Sequence, residues 1–304
     1  MRLHVVGNVC LDTSFRLPRL PRPGETLNAL TAIEGLGGKG ANQAVAAARC
    51  GADVYLWSAL GNDALADRLI QMLQVDLGTD RLIRLPHRTD QSTILIDGAG
   101  ENAIVSAVEC ARAFDPLSNT DIQARWQEGE ILLLQGNLSW DTTTACLHRA
   151  KRSGLMTVFN PSPLPERRVS DLTDVDLVIV NQGEASTLTG VVEPEHAACR
   201  LVEMGVADVI ITLAGDGSLV LDSKGAGPIR LPAQRTVVVD TSGAGDCFAG
   251  TVAGLLGQGK KLIHAATVAS KAAAMAVGRL GTLAAYPTRA EFSELLKISE
   301  LENT

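Results

Sequence analysis

The sequence predicts an α/β protein: a doubly wound, mainly parallel sheet flanked by helices, with a small β-sheet lid. Three observations carry this. From Ile131 onward, short strand-like runs alternate with helix-like stretches, the rhythm of a parallel sheet covered on both faces. Two earlier segments, about 12–36 and 88–110, break that rhythm with short β-like runs and turn residues, and read as a layer attached to the main body. The 304 residues contain no repeat, low-complexity tract or linker, so the whole chain, 1–304, is expected to be one domain.

In order, Leu3–Val9 reads as a buried first strand opening at Gly7-Asn8, with Asp12 just past it. Three prolines, Pro18, Pro21 and Pro23, make a loop before the strand-like Leu27–Glu34. Gly35-Leu36-Gly37-Gly38-Lys39-Gly40-Ala41-Asn42 leads into an alanine-rich helix, Gln43–Cys50. A strand at Val54–Leu60 precedes an amphipathic helix at Asp63–Leu73. Ser92–Asp97 and Ala103–Val108 form a hairpin about the turn 97–102. Strands at Ile131–Gln135, Leu155–Phe159, Asp176–Val180 and Asp208–Leu213 alternate with helices at Thr142–Arg152, Gly183–Thr189 and Glu195–Met204. Ser218–Asp222 and Thr236–Val239 read as antiparallel strands about Gly225-Ala226-Gly227. Helices near Ala244–Leu256, Ile263–Val277 and Arg289–Ile298 close the chain.

Composition narrows the function. A net charge of −7 with no clustered basic patch argues against a nucleic-acid partner. No apolar run reaches the roughly 18 residues of a membrane span, and Met1–Gly7 lacks the pattern of a signal peptide. The six cysteines lie in apolar contexts without a Cys-x-x-Cys pair, the usage of a cytoplasmic protein with reduced thiols. The five histidines have no metal-ligand spacing.

Chemistry concentrates in a few turns. In Asp240-Thr241-Ser242-Gly243-Ala244-Gly245-Asp246, a glycine-rich turn enters a helix. Amides at such a turn converge on an anion, and the helix N-terminus adds positive potential. Asp246 beside it is either a base for phosphoryl transfer or a carboxylate that complements the helix dipole. Gly37 and Gly38 let a polyhydroxyl ligand approach the backbone, with Lys39 and Asn42 as donors; the alternative is a glycine-rich entry to a packed helix. Gly35, Gly37 and Gly40 match the dinucleotide fingerprint, but no acid follows at the end of the next strand. Asp12 is a sugar acceptor or a turn residue, Asn181 and Glu184 a metal-water site or a capping box, and Thr212–Gly217 a nucleotide turn or a plain one. All of these fall just after strands, on one rim of one sheet.

Gly37–Ala48 and Asp240–Asp246 resemble the two signatures of the ribokinase-like (PfkB-type) carbohydrate kinases, in order and about 200 residues apart. Pro23-Gly24-Glu25-Thr26, Gly100-Glu101-Asn102, Asn160-Pro161-Ser162-Pro163 and Asn181-x-x-Glu184 match as well. The resemblance implies the ribokinase-like fold and ATP-dependent phosphoryl transfer to a hydroxymethyl group of a small sugar, most readily a ribose-like pentose or ketose. It implies Asp246 as base and Gly243, Ala244 and Gly245 as anion hole, the last also touching the nucleotide. Asp12, Gly38, Lys39 and Asn42 would bind sugar, together with the positions of Cys10 and Asn137. Asn181, Thr212, Ala214 and Gly217 would lie along ATP, with Glu184 near Mg²⁺ through water. A monovalent-cation site for K⁺ would use Asp240, Ser242 and the backbone of Ala276, Arg279 and Gly281. A homodimer through the lid is also implied. The departures are Cys10 where ribokinases have Asn, Asn137 where they have Glu, and Ala285 where a cation-site serine stands. Two other readings are a nucleoside kinase of the same fold and a non-catalytic sugar or nucleotide sensor.

Overall fold

The computed structural model describes residues 1–98, 102–118, 120–225 and 227–301. The strands are β1 (Leu3–Val6), β2 (Cys10–Arg16), β3 (Thr31–Gly37), β4 (Val54–Gly61), β5 (Leu82–Leu85), β6 (Gln91–Ile96), β7 (Asn102–Ala107), β8 (Ile131–Gln135), β9 (Met156–Asn160), β10 (Leu177–Asn181), β11 (Asp208–Thr212), β12 (Ser218–Leu221) and β13 (Ile229–Leu231). The helices are α1 (Lys39–Arg49), α2 (Ala64–Leu73), α3 (Glu109–Ala113), α4 (Thr120–Arg125), α5 (Trp140–Arg152), α6 (Gln182–Thr189), α7 (Pro194–Glu203), α8 (Ala244–Gly257), α9 (Leu262–Val277) and α10 (Arg289–Leu301).

The main sheet has nine strands in the order β13-β12-β11-β10-β9-β8-β1-β4-β5. From β11 to β5 every neighbouring pair is parallel; β12 and β13 are antiparallel additions at one edge. Alternation along each strand feeds two cores. Leu3, Val5, Leu133 and Ile179 face α1, α8 and α9, while Val6, Leu132, Leu134 and Val178 pack with α5 and α7 residues on the other side. The lid is a four-stranded sheet, β3-β2-β6-β7.

Small residues set the helix spacing that matters for the site. A Cβ on Gly250 would stand 2.2 Å from the Gln43 carbonyl, and one on Gly254 would stand 3.0 Å from Ala47 Cα. α8 therefore packs backbone to backbone on α1, which brings the first turns of both helices together.

Several expectations need correction. Asp12 is not in a turn: the chain re-enters β structure at Cys10, and Asp12 sits within lid strand β2, opposite Gly35 of β3. The second lid strand is Thr31–Gly37, later than the expected Leu27–Glu34. Thr236–Val239 is not a strand. Its place beside β12 is taken by Ile229–Leu231, and Val237, Val238 and Val239 are exposed, with Val239 N bonded to Val277 O. A β-branched run without a ladder partner stays irregular. β5 belongs to the main sheet, and α3 and α4 are too short to show helical periodicity in sequence. The turn residues Ala99, Gly100, Glu101 and Ala226 lie outside the described residues.

Candidate active site

A cleft of about 1140 Å³ opens between the carboxyl ends of the main-sheet strands and the lid. Asp12, Lys39, Asn42, Asn137, Asn181 and Asp246 all line it. Its position follows from the topology, because parallel strands present their following loops on one rim.

Asp246 stands in the first turn of α8 and is 5% exposed. Asn42 Nδ2 donates to its Oδ2 at 3.0 Å, and Gln43 Nε2 donates to its Oδ1 at 2.9 Å. Lys39 Nζ lies 3.6 Å from Oδ1. All three donors come from the first turns of α1. A buried carboxylate is tolerable only when so surrounded. Gln43 continues the network: Nε2 also donates to Asn160 Oδ1 at 2.9 Å, and Oε1 accepts from Gln135 Nε2 at 2.9 Å. Asn160 in turn donates to Ile179 O at 2.8 Å. Asp246 is thus fixed by the ends of β8, β9 and β10 through one glutamine. Sequence reasoning did not assign Gln43, Gln135 or Asn160 a role; the signal available was the amide cluster at successive strand ends.

Gly243 caps α8 with φ 74°. A Cβ there would stand 2.3 Å from Thr282 Cγ2, and the Tyr286 hydroxyl donates to Gly243 O at 2.7 Å. Burial, with the nearby Asp246 charge, pushes the Tyr286 phenol well above its usual range, so it stays a donor. The turn Thr241–Ala244 is therefore held from behind, with its amides at the N-terminus of α8.

Across the cleft, Cys10 Sγ donates to Asp12 Oδ1 at 3.2 Å. Burial raises the Asp12 carboxyl above its usual range. Hydrogen bonds from Cys10 and Ser92 oppose that shift, the Asp246 charge adds to it, and Lys39 opposes it. Burial drives the Cys10 thiol up further, so it is a neutral S–H. Gly38 lines the cleft, and both glycines also serve the chain's own packing. A Cβ on Gly37 would strike the Asp12 carboxylate at 2.1 Å, and one on Gly38, at φ 94°, would meet Asn8 O at 2.7 Å. These glycines let the chain's own backbone and Asp12 close up. Asn42 Oδ1 and Asn137 Oδ1 are buried without a protein partner, acceptors ready for hydroxyl groups.

Towards the other end, Asn181 lines the cleft, whereas Thr212, Ala214 and Gly217 follow along β11 and its turn, outside the cleft lining. Ala214 has φ 50° and Gly217 φ 92°, and a Cβ on Gly217 would meet Leu231 O at 2.0 Å. Asn181 and Glu184 form a reciprocal capping box on α6. Among the described residues no group of three or more His, Cys, Asp or Glu could cage a metal. The half-buried Glu184 carboxylate, one oxygen of which accepts from Asn181 N, fits a Mg²⁺ carried on phosphates through water.

At the cation-site positions the Asp240 carboxylate is already engaged. Asp240 Oδ1 accepts from Ser242 N at 2.9 Å and Oδ2 from Gly281 N at 3.1 Å. Arg16 Nη2 of the lid lies 3.6 Å from that same Oδ2. Ala276 O accepts from Arg279 N at 3.0 Å, and Ala285 carries no side-chain oxygen.

The pfkB family carbohydrate kinase model matches residues 2–289. The chain belongs to this family. It is 30% identical over 310 residues to the deoxyribokinase of Salmonella typhimurium, covering 99% of this chain and all of that one. It is 32% identical over 296 residues to the ribokinase of Mus musculus, covering 93% and 91%. The structure of Arabidopsis thaliana ribokinase complexed with ribose and ATP superposes with TM-score 0.87 at 27% identity, covering 97% and 98%. As a pfkB carbohydrate kinase, the protein is a phosphotransferase that acts on a sugar hydroxyl, and the dinucleotide fingerprint at Gly35–Gly40 is an incidental match.

Proposed function

We propose that this kinase moves the γ-phosphoryl group of ATP to a hydroxymethyl group of a small pentose or ketose. The observation that carries the reading is Asp246: a buried carboxylate at the N-terminus of α8, beside the Gly243–Gly245 amides, bonded to Asn42 and lining one cleft with Asp12. Asp246 takes the proton of the hydroxymethyl group as its oxygen attacks the γ-phosphorus, and ADP leaves. The amides of the Gly243 turn stabilise the charge that develops on the transferred group. Lys39 Nζ, 3.6 Å from Asp246 Oδ1, lies near the same charge. Mg²⁺, bound with the nucleotide and near Glu184 through water, would neutralise phosphate charge. Asn181, Thr212, Ala214 and Gly217 run along the nucleotide.

At the sugar end, Asp12 accepts from hydroxyls, while Asn42 and Asn137 supply both donors and acceptors. Cys10 already commits its one hydrogen to Asp12. It therefore offers a hydroxyl little, and a deoxypentose loses less here than in a site with Asn at this position. Residues 1–304 act as one catalytic unit under a lid. Leu30, Ile33 and Val105, exposed on or beside the lid strands, support pairing of two lids in a homodimer. Six unpaired cysteines, five of them buried, suit the reducing cytoplasm. ADP release over a panel that includes ribose, 2-deoxyribose, ketoses and nucleosides tests the reading. No release with any sugar overturns it, and release with nucleosides alone moves the acceptor to that class.

A further inference from the structure

Arg16 ends lid strand β2, its backbone paired with Thr31 and Ile96 and its carbonyl accepting from Leu30 N at 2.7 Å. From that fixed base its guanidinium reaches the main body, 3.6 Å from Asp240 Oδ2. Asp240 opens the turn that ends in Gly243 and Asp246, and its side chain is 10% exposed. A carboxylate so close to an anion hole opposes the phosphates bound there unless a positive charge offsets it. Two backbone amides alone do not supply a full charge.

The resemblance to ribokinases implies a monovalent cation at the corresponding place. Here both Asp240 oxygens already accept from backbone amides and one of them faces Arg16, and the serine position is Ala285. We propose that Arg16 replaces that cation: a positioning residue whose fixed charge offsets Asp240 and holds the anion-hole turn, so that turnover does not need potassium. Because Arg16 rides on the lid and Asp240 on the body, the pair also ties lid position to the shape of the turn. The proposal rests on the kinase reading, but it concerns only how one charge is supplied.

The test compares wild type, Arg16→Gln and Arg16→Lys in KCl and in choline chloride at equal ionic strength. One readout is ADP release with Mg-ATP and sugar; the other is the melting temperature without substrate, together with rubidium anomalous scattering in crystals. Wild type is expected to change less than about twofold between the salts and to bind no rubidium at Asp240. Arg16→Gln is expected to lose roughly tenfold or more of kcat in choline, to regain most of it in KCl, and to melt higher in KCl. Arg16→Lys keeps the charge and is expected to stay indifferent to potassium. Strong potassium activation of wild type with rubidium beside Asp240 overturns the proposal. So does an Arg16→Gln variant that matches wild type, or one that loses turnover without any potassium effect on rate or melting. If no sugar elicits ADP from wild type, the kinase reading fails, while melting and rubidium binding still decide the role of Arg16.

Discussion

Gln43 Nε2 stands 2.9 Å from Asp246 Oδ1, and the same nitrogen reaches Asn160 Oδ1. One amide thus joins the carboxylate at the head of α8 to the end of β9. A base works at its full rate only when its approach angle is fixed. Gln43→Leu is expected to reduce kcat by about ten- to a hundredfold while KM for ATP stays within about threefold, read from coupled ADP release. Equal losses in kcat and in nucleotide binding would place Gln43 in general packing instead.

Gly243 cannot carry a side chain. At φ 74°, with Thr282 and Tyr286 against the missing Cβ, Gly243→Ala is expected to lower both turnover and melting temperature. Tyr286→Phe removes only the hydroxyl bonded to Gly243 O, so it isolates the turn from the packing. A fall in kcat of about three- to tenfold with little change in melting is expected, from the roughly 1 kcal/mol such a bond contributes.

The raised Asp12 carboxyl gives a pH signature. In the proposed role it accepts sugar hydroxyls as the carboxylate, and a raised value means that it protonates at a higher pH than an exposed aspartate. KM for sugar is therefore expected to climb as pH falls through that raised value, before the nucleotide's own KM moves. The stability sign is opposite. A carboxyl raised in the folded state contributes stability below its unfolded value and loses it as pH rises through the folded one. Asp12→Asn is accordingly expected to weaken sugar binding and yet to melt higher at neutral pH, with no gain at acid pH. A variant that melts lower at every pH would show that Asp12 supports the lid rather than the sugar.

On the proposed reading, Cys10 and Asn137 select the acceptor. Cys10→Asn combined with Asn137→Glu restores the groups that ribokinases carry at these places. The double variant is expected to shift kcat/KM towards ribose over 2-deoxyribose by about five- to twentyfold, the worth of one or two hydrogen bonds. An unchanged ratio would remove both residues from acceptor selection.

Much of this was legible in the sequence because it is written locally. The Gly243–Asp246 turn, the Asn181–Glu184 cap and the alternation from Ile131 onward each depend on residues a few positions apart. The Gly37–Asn42 segment was legible as a site but not in its mechanics, since the atoms crowding Gly37 and Gly38 belong to Asp12 and Asn8. What escaped are long-range pairings. Gln43 meets Gln135 and Asp246 across 92 and 203 positions, and Arg16 meets Asp240 from the lid sheet. No spacing rule reaches that far. Val237–Val239 misled for the converse reason: the run has strand propensity, but β13 already holds the edge. The sensor reading kept open by the sequence gives way to the carbohydrate-kinase family match over residues 2–289.

The most direct measurement is ADP release by wild type and Asp246→Asn with the best sugar of the panel, paired with calorimetric ATP binding. Sugar-dependent release in wild type, reduced at least about a hundredfold in Asp246→Asn with ATP affinity nearly unchanged, is the predicted result. Near-normal turnover in Asp246→Asn would contradict it.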